Sequence, residues 1–193
     1  PEYEPANYYF TDAITDHAVK FVGDHQREHA QQPFFLYVTY TAAHWPMHAL
    51  PEDITKYKGK YDAGYEPIRQ SRFEKAASLG LIDKAQGLSP LVGKWDEVKN
   101  KEREIACMEV YAAMLAYQDE QVGRLFAEIG RMGLRDNTLV IFIEGDNGAA
   151  AEGGMHGSMN PMSNFANGTQ ESEATLLANL ERIGGPEAVA QYG

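Results

Sequence analysis

Two runs of apolar, aromatic and β-branched residues constrain this chain more than any other feature: Phe34-Phe35-Leu36-Tyr37-Val38-Thr39-Tyr40 and Thr138-Leu139-Val140-Ile141-Phe142-Ile143. Each has the length of a strand and lacks the polar alternation of a strand with one wet face. Each therefore reads as a strand buried on both faces, the pattern of a parallel sheet covered by helices. Each also follows a stretch of helical periodicity. From Thr11 to about Ala30 the residues Ile14, Ala18, Phe21, Val22 and His25 recur at three- and four-residue spacing, with Thr11 the predicted N-cap, Asp12 in the first turn and Pro33 as the stop. From Glu104 to about Arg131 the residues Ile105, Met108, Tyr111, Leu115, Val122, Leu125, Phe126 and Ile129 trace a second stripe, ended by Gly133. Leu134-Arg135-Asp136-Asn137 then supplies turn chemistry, and a last helix is predicted from about Glu171 to Ile183, ahead of Gly184-Gly185-Pro186. Helix, buried strand, helix, buried strand is the α/β signature, with right-handed crossovers expected.

Between these blocks, residues 46–103 are less regular, with four prolines and the tract Tyr57-Lys58-Gly59-Lys60-Tyr61-Asp62-Ala63-Gly64-Tyr65. They read as an elaborated loop region with short helices, including one from Glu66 to Leu79. Charge is unevenly spread. Residues 51–103 hold eleven of the seventeen Lys and Arg against nine acids, a balance of +2, whereas residues 1–50 sum to -4 and residues 104–193 to -9. An anionic substrate would find its steering charge in that middle segment, although a solvated mixed-charge excursion explains the same composition. The net charge of -11 argues against nucleic-acid binding, which needs a basic face. No apolar run approaches the roughly 18 residues of a membrane span. The first residues, PEYEPANYYF, show no targeting segment, so the compartment stays open. The single cysteine, Cys107, allows no internal disulfide and sits in the apolar stripe of a helix.

Ligands of an open parallel sheet bind outside the carboxyl ends of its strands, so the residues just after each run are the first place to look for chemistry. The first run exits into Thr41-Ala42-Ala43-His44-Trp45-Pro46-Met47-His48. There His44 can hydrogen-bond an anionic oxygen or give a proton to a leaving group, or it can pack between Trp45 and the strand end. His48 lies farther from the strand terminus and is the weaker candidate. The second run exits into Glu144-Gly145-Asp146-Asn147-Gly148. Asp146 and Asn147 offer a carboxylate and an amide carbonyl side by side, oxygen donors that suit a hard cation such as calcium or magnesium. The same tripeptide is also a common turn sequence. Downstream, His156 can line a substrate pocket or simply sit solvated in its glycine-rich loop. His25-Gln26-Arg27-Glu28-His29 matches the inverted zinc-protease pattern, but no third ligand is evident and a partly exposed helix end accounts for it. Asn167-Gly168-Thr169 is a formal glycosylation sequon that carries no weight by itself.

Taken in order, PFFLYVTYTAAHWPMHA, YKGKYDAGYEPIR, MEVYAAMLAYQDEQVGRLFAEI and DNTLVIFIEGDNGAAAEGG resemble the central part of arylsulfatases, members of the alkaline phosphatase superfamily. The likeness spans nearly the whole chain, collinearly, in four separate blocks. It implies part of an alkaline-phosphatase-like doubly wound sheet with helices on both faces, truncated at both ends, and makes residues 1–193 the central part of one catalytic domain. It implies hydrolysis of sulfate esters, of small molecules or carbohydrates, with a divalent cation, usually calcium, holding the sulfate beside a formylglycine nucleophile. By matching motif, Asp146 and Asn147 become metal ligands and His44 the histidine that contacts the ester near its leaving oxygen. A periplasmic or secreted setting is what the family would imply.

The departures are equally specific. The nucleophile of such enzymes comes from a Cys/Ser-x-Pro-x-Arg motif, and Cys107 is followed instead by Met108-Glu109-Val110, so the formylglycine is expected outside this chain. The early acidic pair that completes the metal site, the Lys and His that follow the nucleophile block and the later Lys beyond the Asp-Asn strand are likewise not here, and the remainder of the catalytic domain is the expected partner. Glu144-Gly145 stands where many relatives carry small hydroxyl residues. Two alternatives stay open: a phosphate or phosphonate ester hydrolase of the same superfamily, and a noncatalytic or degenerate binding module. Two-zinc phosphatases of the superfamily usually show Asp-His where this chain has Asp146-Asn147, which favours sulfate.

Overall fold

The structure is a computed structural model of the chain; it describes residues 8–44, 47–91, 93–145, 166, 168 and 171–179. Five α-helices are described: α1 (Phe10–Glu28), α2 (Pro51–Thr55), α3 (Tyr65–Ser78), α4 (Lys101–Arg131) and α5 (Glu173–Ala178). Short 3-10 turns occur at Lys84–Gln86, Trp95–Glu97 and Arg135–Asn137. The chain divides into two compact units, Pro1–Pro46 with Met114–Gln170 and Met47–Ala113 with Glu171–Gly193, so that α4 begins in the second and ends in the first.

In the first unit Ala18 and Val22 of α1 and Leu125 and Ile129 of α4 form a buried cluster, against which Phe34, Leu36, Val38 and Leu134 pack. The periodic stripe predicted for α1 is only partly the covered one. Phe21 is exposed, and the buried positions are Thr11, Ala13, Thr15, Ala18 and Val22, so two threonines occupy ground expected for Ile14 and Phe21. Nor is Thr11 the N-cap. The helix starts at Phe10 with Tyr9 ahead of it, held by an edge-on contact of its ring with Tyr117 at 5.3 Å between centroids. On α4, similarly, Val110, Ala113, Met114, Gln121, Leu125 and Ile129 are buried while Tyr111, Leu115 and Phe126 are exposed.

The end of α4 is where the sequence placed it. Gly133 adopts φ +72°, its N–H reaches the Gly130 carbonyl at 2.9 Å, and the Leu134 N–H reaches the Ile129 carbonyl at 3.1 Å. This paired closure needs a residue with positive φ just past the last turn, which glycine provides without a Cβ clash. It also delivers Leu134 onto the cluster beside Ile129.

Neither strand-length run pairs into a sheet among the described residues. In the first run burial alternates: Phe34, Leu36, Val38 and Tyr40 are half-buried, and Phe35, Tyr37 and Thr39 are exposed, Phe35 at 92%. A period of two is that of a strand with one face covered by helices, not both. The second run is exposed from Leu139 (86%) to Ile143 (82%). The expected two-sided burial is thus absent here, because α1 and α4 cover one side of the first run and the described residues include no second layer.

In the second unit, residues 47–113 hold the short helices expected of them, with α3 one residue ahead of the predicted bounds. Glu109, 2% exposed on α4, ties down the lysine-rich tract by accepting from Lys58 Nζ at 2.6 Å and from the Gly59 N–H at 3.0 Å. Gly64 has φ +82°, and a Cβ there would meet Trp95 Cγ at 2.2 Å, so only glycine lets the indole close over this turn. Tyr65 stacks edge-on against Trp95 at 4.9 Å and donates its hydroxyl to Glu104 at 3.1 Å. Ser172 caps α5 by accepting the Thr175 N–H at 3.1 Å, and Leu176 is buried.

Candidate functional site

His44 is the one described member of the residues predicted for the site. Asp146, Asn147 and His156 lie outside the described residues. The first run ends at Tyr40, and a turn follows in which the His44 N–H reaches the Thr41 carbonyl at 2.8 Å. The Ala42–Ala43 peptide within this turn is cis. The turn leaves His44 exposed. The turn is anchored from below by α1. Thr15, fully buried, lies within 2.9 Å of the Tyr40 hydroxyl, and α1 in turn binds the late part of α4 through Asp12 with Tyr117 (2.7 Å) and Asp16 with Arg124.

Other sequence candidates separate cleanly. His48, in the second unit, is half-buried, and burial pushes its imidazole below the ordinary histidine range, so it tends to stay neutral. His25 and His29 face each other at 5.9 Å between ring centroids, but His25 Nε2 sits 2.9 Å from the Gln32 carbonyl oxygen. A carbonyl only accepts, so that nitrogen carries the proton and has no lone pair for zinc. Among the described residues no group of three or more His, Cys, Asp or Glu is placed to hold a metal ion. His25 and His29 stand at the end of α1, where His25 closes the turn into the first run. Cys107 is half-buried, and burial raises its thiol to about 11, with Glu104 adding to the rise and Arg103 opposing it. Such a thiol is protonated and inert at neutral pH.

A groove of about 440 Å³ opens between the C-terminal halves of α1 and α4, lined by Val19, Lys20, Asp24, Arg27, Glu128 and Arg131. It lies at the end of the first unit where the two runs begin. Its cations are engaged, Lys20 and Arg27 with Asp24 and Arg131 with Glu128.

What periodicity did not reveal are the polar anchors, Thr15 with Tyr40 and Glu109 with Lys58 and Gly59. A signal existed for each: two threonines four residues apart on a helix with an apolar face, and one acid between Met108 and Val110. Neither signal names its partner, which lies 25 residues away for Thr15 and 51 for Glu109.

The family model described as Sulfatase matches residues 1–183. The chain belongs to the sulfatase family. An uncharacterized sulfatase of Schizosaccharomyces pombe is 38% identical over 138 residues, which is 68% of this chain and 25% of that protein. An arylsulfatase of Klebsiella aerogenes is 33% identical over 135 residues, covering 68% of this chain and 29% of the other. The sulfatase chain thus spans between a quarter and three tenths of the length of these relatives. Family membership carries with it a divalent metal and a formylglycine as general expectations, and an alkaline-phosphatase-like fold. The described residues of this chain are mostly helical and form no sheet.

Proposed function

We propose that this chain is the central part of one sulfatase catalytic domain and that the parent protein hydrolyses sulfate esters, of the aryl or carbohydrate kind. The observation that carries the reading is the sulfatase match over residues 1–183, joined to a histidine exposed on the turn after the first run. In this reading residues 34–40 and 138–143 are strands of a doubly wound sheet with helices on both faces, and residues 46–103 are an elaboration of the same domain. The period-two burial of the first run supports strand geometry. The exposure of the second fits a strand whose covering layers come from the rest of the domain.

Asp146 and Asn147 suit a divalent cation by their donor chemistry, a carboxylate and an amide oxygen on adjacent residues flanked by Gly145 and Gly148. Calcium is the cation proposed, with magnesium as the alternative. When bound, it would neutralise charge on the sulfuryl oxygens. His44 is proposed to sit near the leaving oxygen of the ester and to hold a proton there, and His156 to line the substrate pocket. The nucleophile lies outside residues 1–193, so this chain alone should turn over no sulfate ester.

The test is a paired assay of the full-length protein on an aryl sulfate and the matching aryl phosphate. Preferential sulfate hydrolysis, lost in Asp146→Ala and in the presence of a calcium chelator, is the expected result. Preference for phosphate would move the reading to the phosphatase branch. Inactivity on both, with no Cys/Ser-x-Pro-x-Arg block in the flanking sequence, would mark a noncatalytic relative.

A further inference from the structure

We propose that Thr15 and Tyr40 are positioning residues for His44, fixing the strand exit from which the imidazole is presented; this rests on the reading of His44 as the group beside the leaving oxygen. Thr15 is fully buried, and its hydroxyl has a single proton, which goes to the Thr11 carbonyl at 3.1 Å. The 2.9 Å contact between Thr15 Oγ1 and Tyr40 Oη must then be made by the phenol donating to the threonine oxygen. Tyr40 is the last residue of the run, and its neighbour Thr41 accepts the His44 N–H at 2.8 Å. One peptide unit therefore separates the anchored residue from the carbonyl that shapes the histidine turn.

The run itself is held by Phe34, Leu36 and Val38 on the apolar cluster, contacts that involve neither hydroxyl. What the hydroxyl pair adds is the place where the run ends. Its acceptor stands on a helix bound to α4 through Asp12 with Tyr117 and Asp16 with Arg124, so the anchor is rigid. A proton-holding group must sit within hydrogen-bond reach of the oxygen it serves, and small misplacements cost large factors in rate.

The test compares turnover of phenyl sulfate and para-nitrophenyl sulfate by the full-length protein. Phenolate is the poorer leaving group and depends on a positioned proton; para-nitrophenolate does not. A variant that only lowers the folded fraction slows both substrates by the same factor and leaves their ratio untouched. His44→Asn should slow phenyl sulfate about a hundredfold more than the nitrophenyl ester, and Tyr40→Phe and Thr15→Val about tenfold more. Thr15→Ser, which keeps the acceptor oxygen, should return the ratio to within about twofold of the unaltered protein. Unaltered ratios in Tyr40→Phe and Thr15→Val, with the ratio shifted in His44→Asn, would overturn the positioning role and leave the sulfatase reading standing. So would a Thr15→Ser shift as large as that of Thr15→Val. An unaltered ratio in His44→Asn would instead sink the role given to His44, and this inference with it.

Discussion

The two strand-length runs are nearly interchangeable as sequence and very different as structure. Residues 34–40 alternate between half-buried and exposed, their inner side resting on Ala18, Val22, Leu125 and Ile129. Residues 139–143 carry at least as apolar a set of side chains and are exposed throughout. Both runs follow a helix through a short connection, so local sequence does not separate them. The difference lies in what is available to cover each. α1 packs back on the run that follows it, whereas the run after α4 is fixed at its base by Leu134 and meets no comparable layer among the described residues. A continuous apolar run therefore states that a segment has apolar surface to cover. It does not state which surface does the burying.

That contrast can be broken by stability measurements on the chain, beginning where the effect should be greatest. Ile129→Ala removes a buried side chain from the cluster that covers the first run, and should cost about 3 kcal/mol in urea unfolding. A loss below about 1 kcal/mol would mean the cluster does not hold this unit together. Leu36→Ala, on the half-buried side of the first run, should cost about 2 kcal/mol, while Phe35→Ala next to it should be nearly silent. Equal effects at the two positions would contradict the one-sided packing. Gly133→Ala forces a Cβ into a positive-φ position and should cost about 1 kcal/mol; no change would mean the closure at Leu134 is not what seats the second run.

The smallest effect sharpens the comparison most. Ile141→Ala should change the stability of this chain by less than about 0.5 kcal/mol, because the side chain is largely exposed. In the full-length sulfatase the same substitution should cost about 2 kcal/mol or more, the value for a covered isoleucine. A silent Ile141→Ala in both would show that the second run is not a buried strand of the complete domain.

Much of the helical layer was legible from spacing. α1 and α4 have long apolar periodicity, and the stop at Gly133 followed from its position just past the last turn. The covered face of α1 was not legible, because a threonine can lie against solvent or satisfy its hydroxyl locally. Thr15 does the latter through the Thr11 carbonyl and then serves Tyr40. On α4, Glu109 is a buried anchor whose partners spacing does not name. At the site, His44 could be nominated because strand exits are where an α/β fold places ligands. Its anchoring could not, since the two hydroxyls that meet are 25 residues apart.

By itself the sequence determined which segments would be helical, where α4 would end and to which family the chain belongs. Those are matters of backbone preference, period and motif, all written within a few turns of chain. Only the tertiary structure decided which face of each helix is covered, that two threonines outrank an isoleucine and a phenylalanine on α1, and that one apolar run finds a covering layer. Burial is a property of pairs of surfaces, and a local stretch of sequence specifies only one member of each pair.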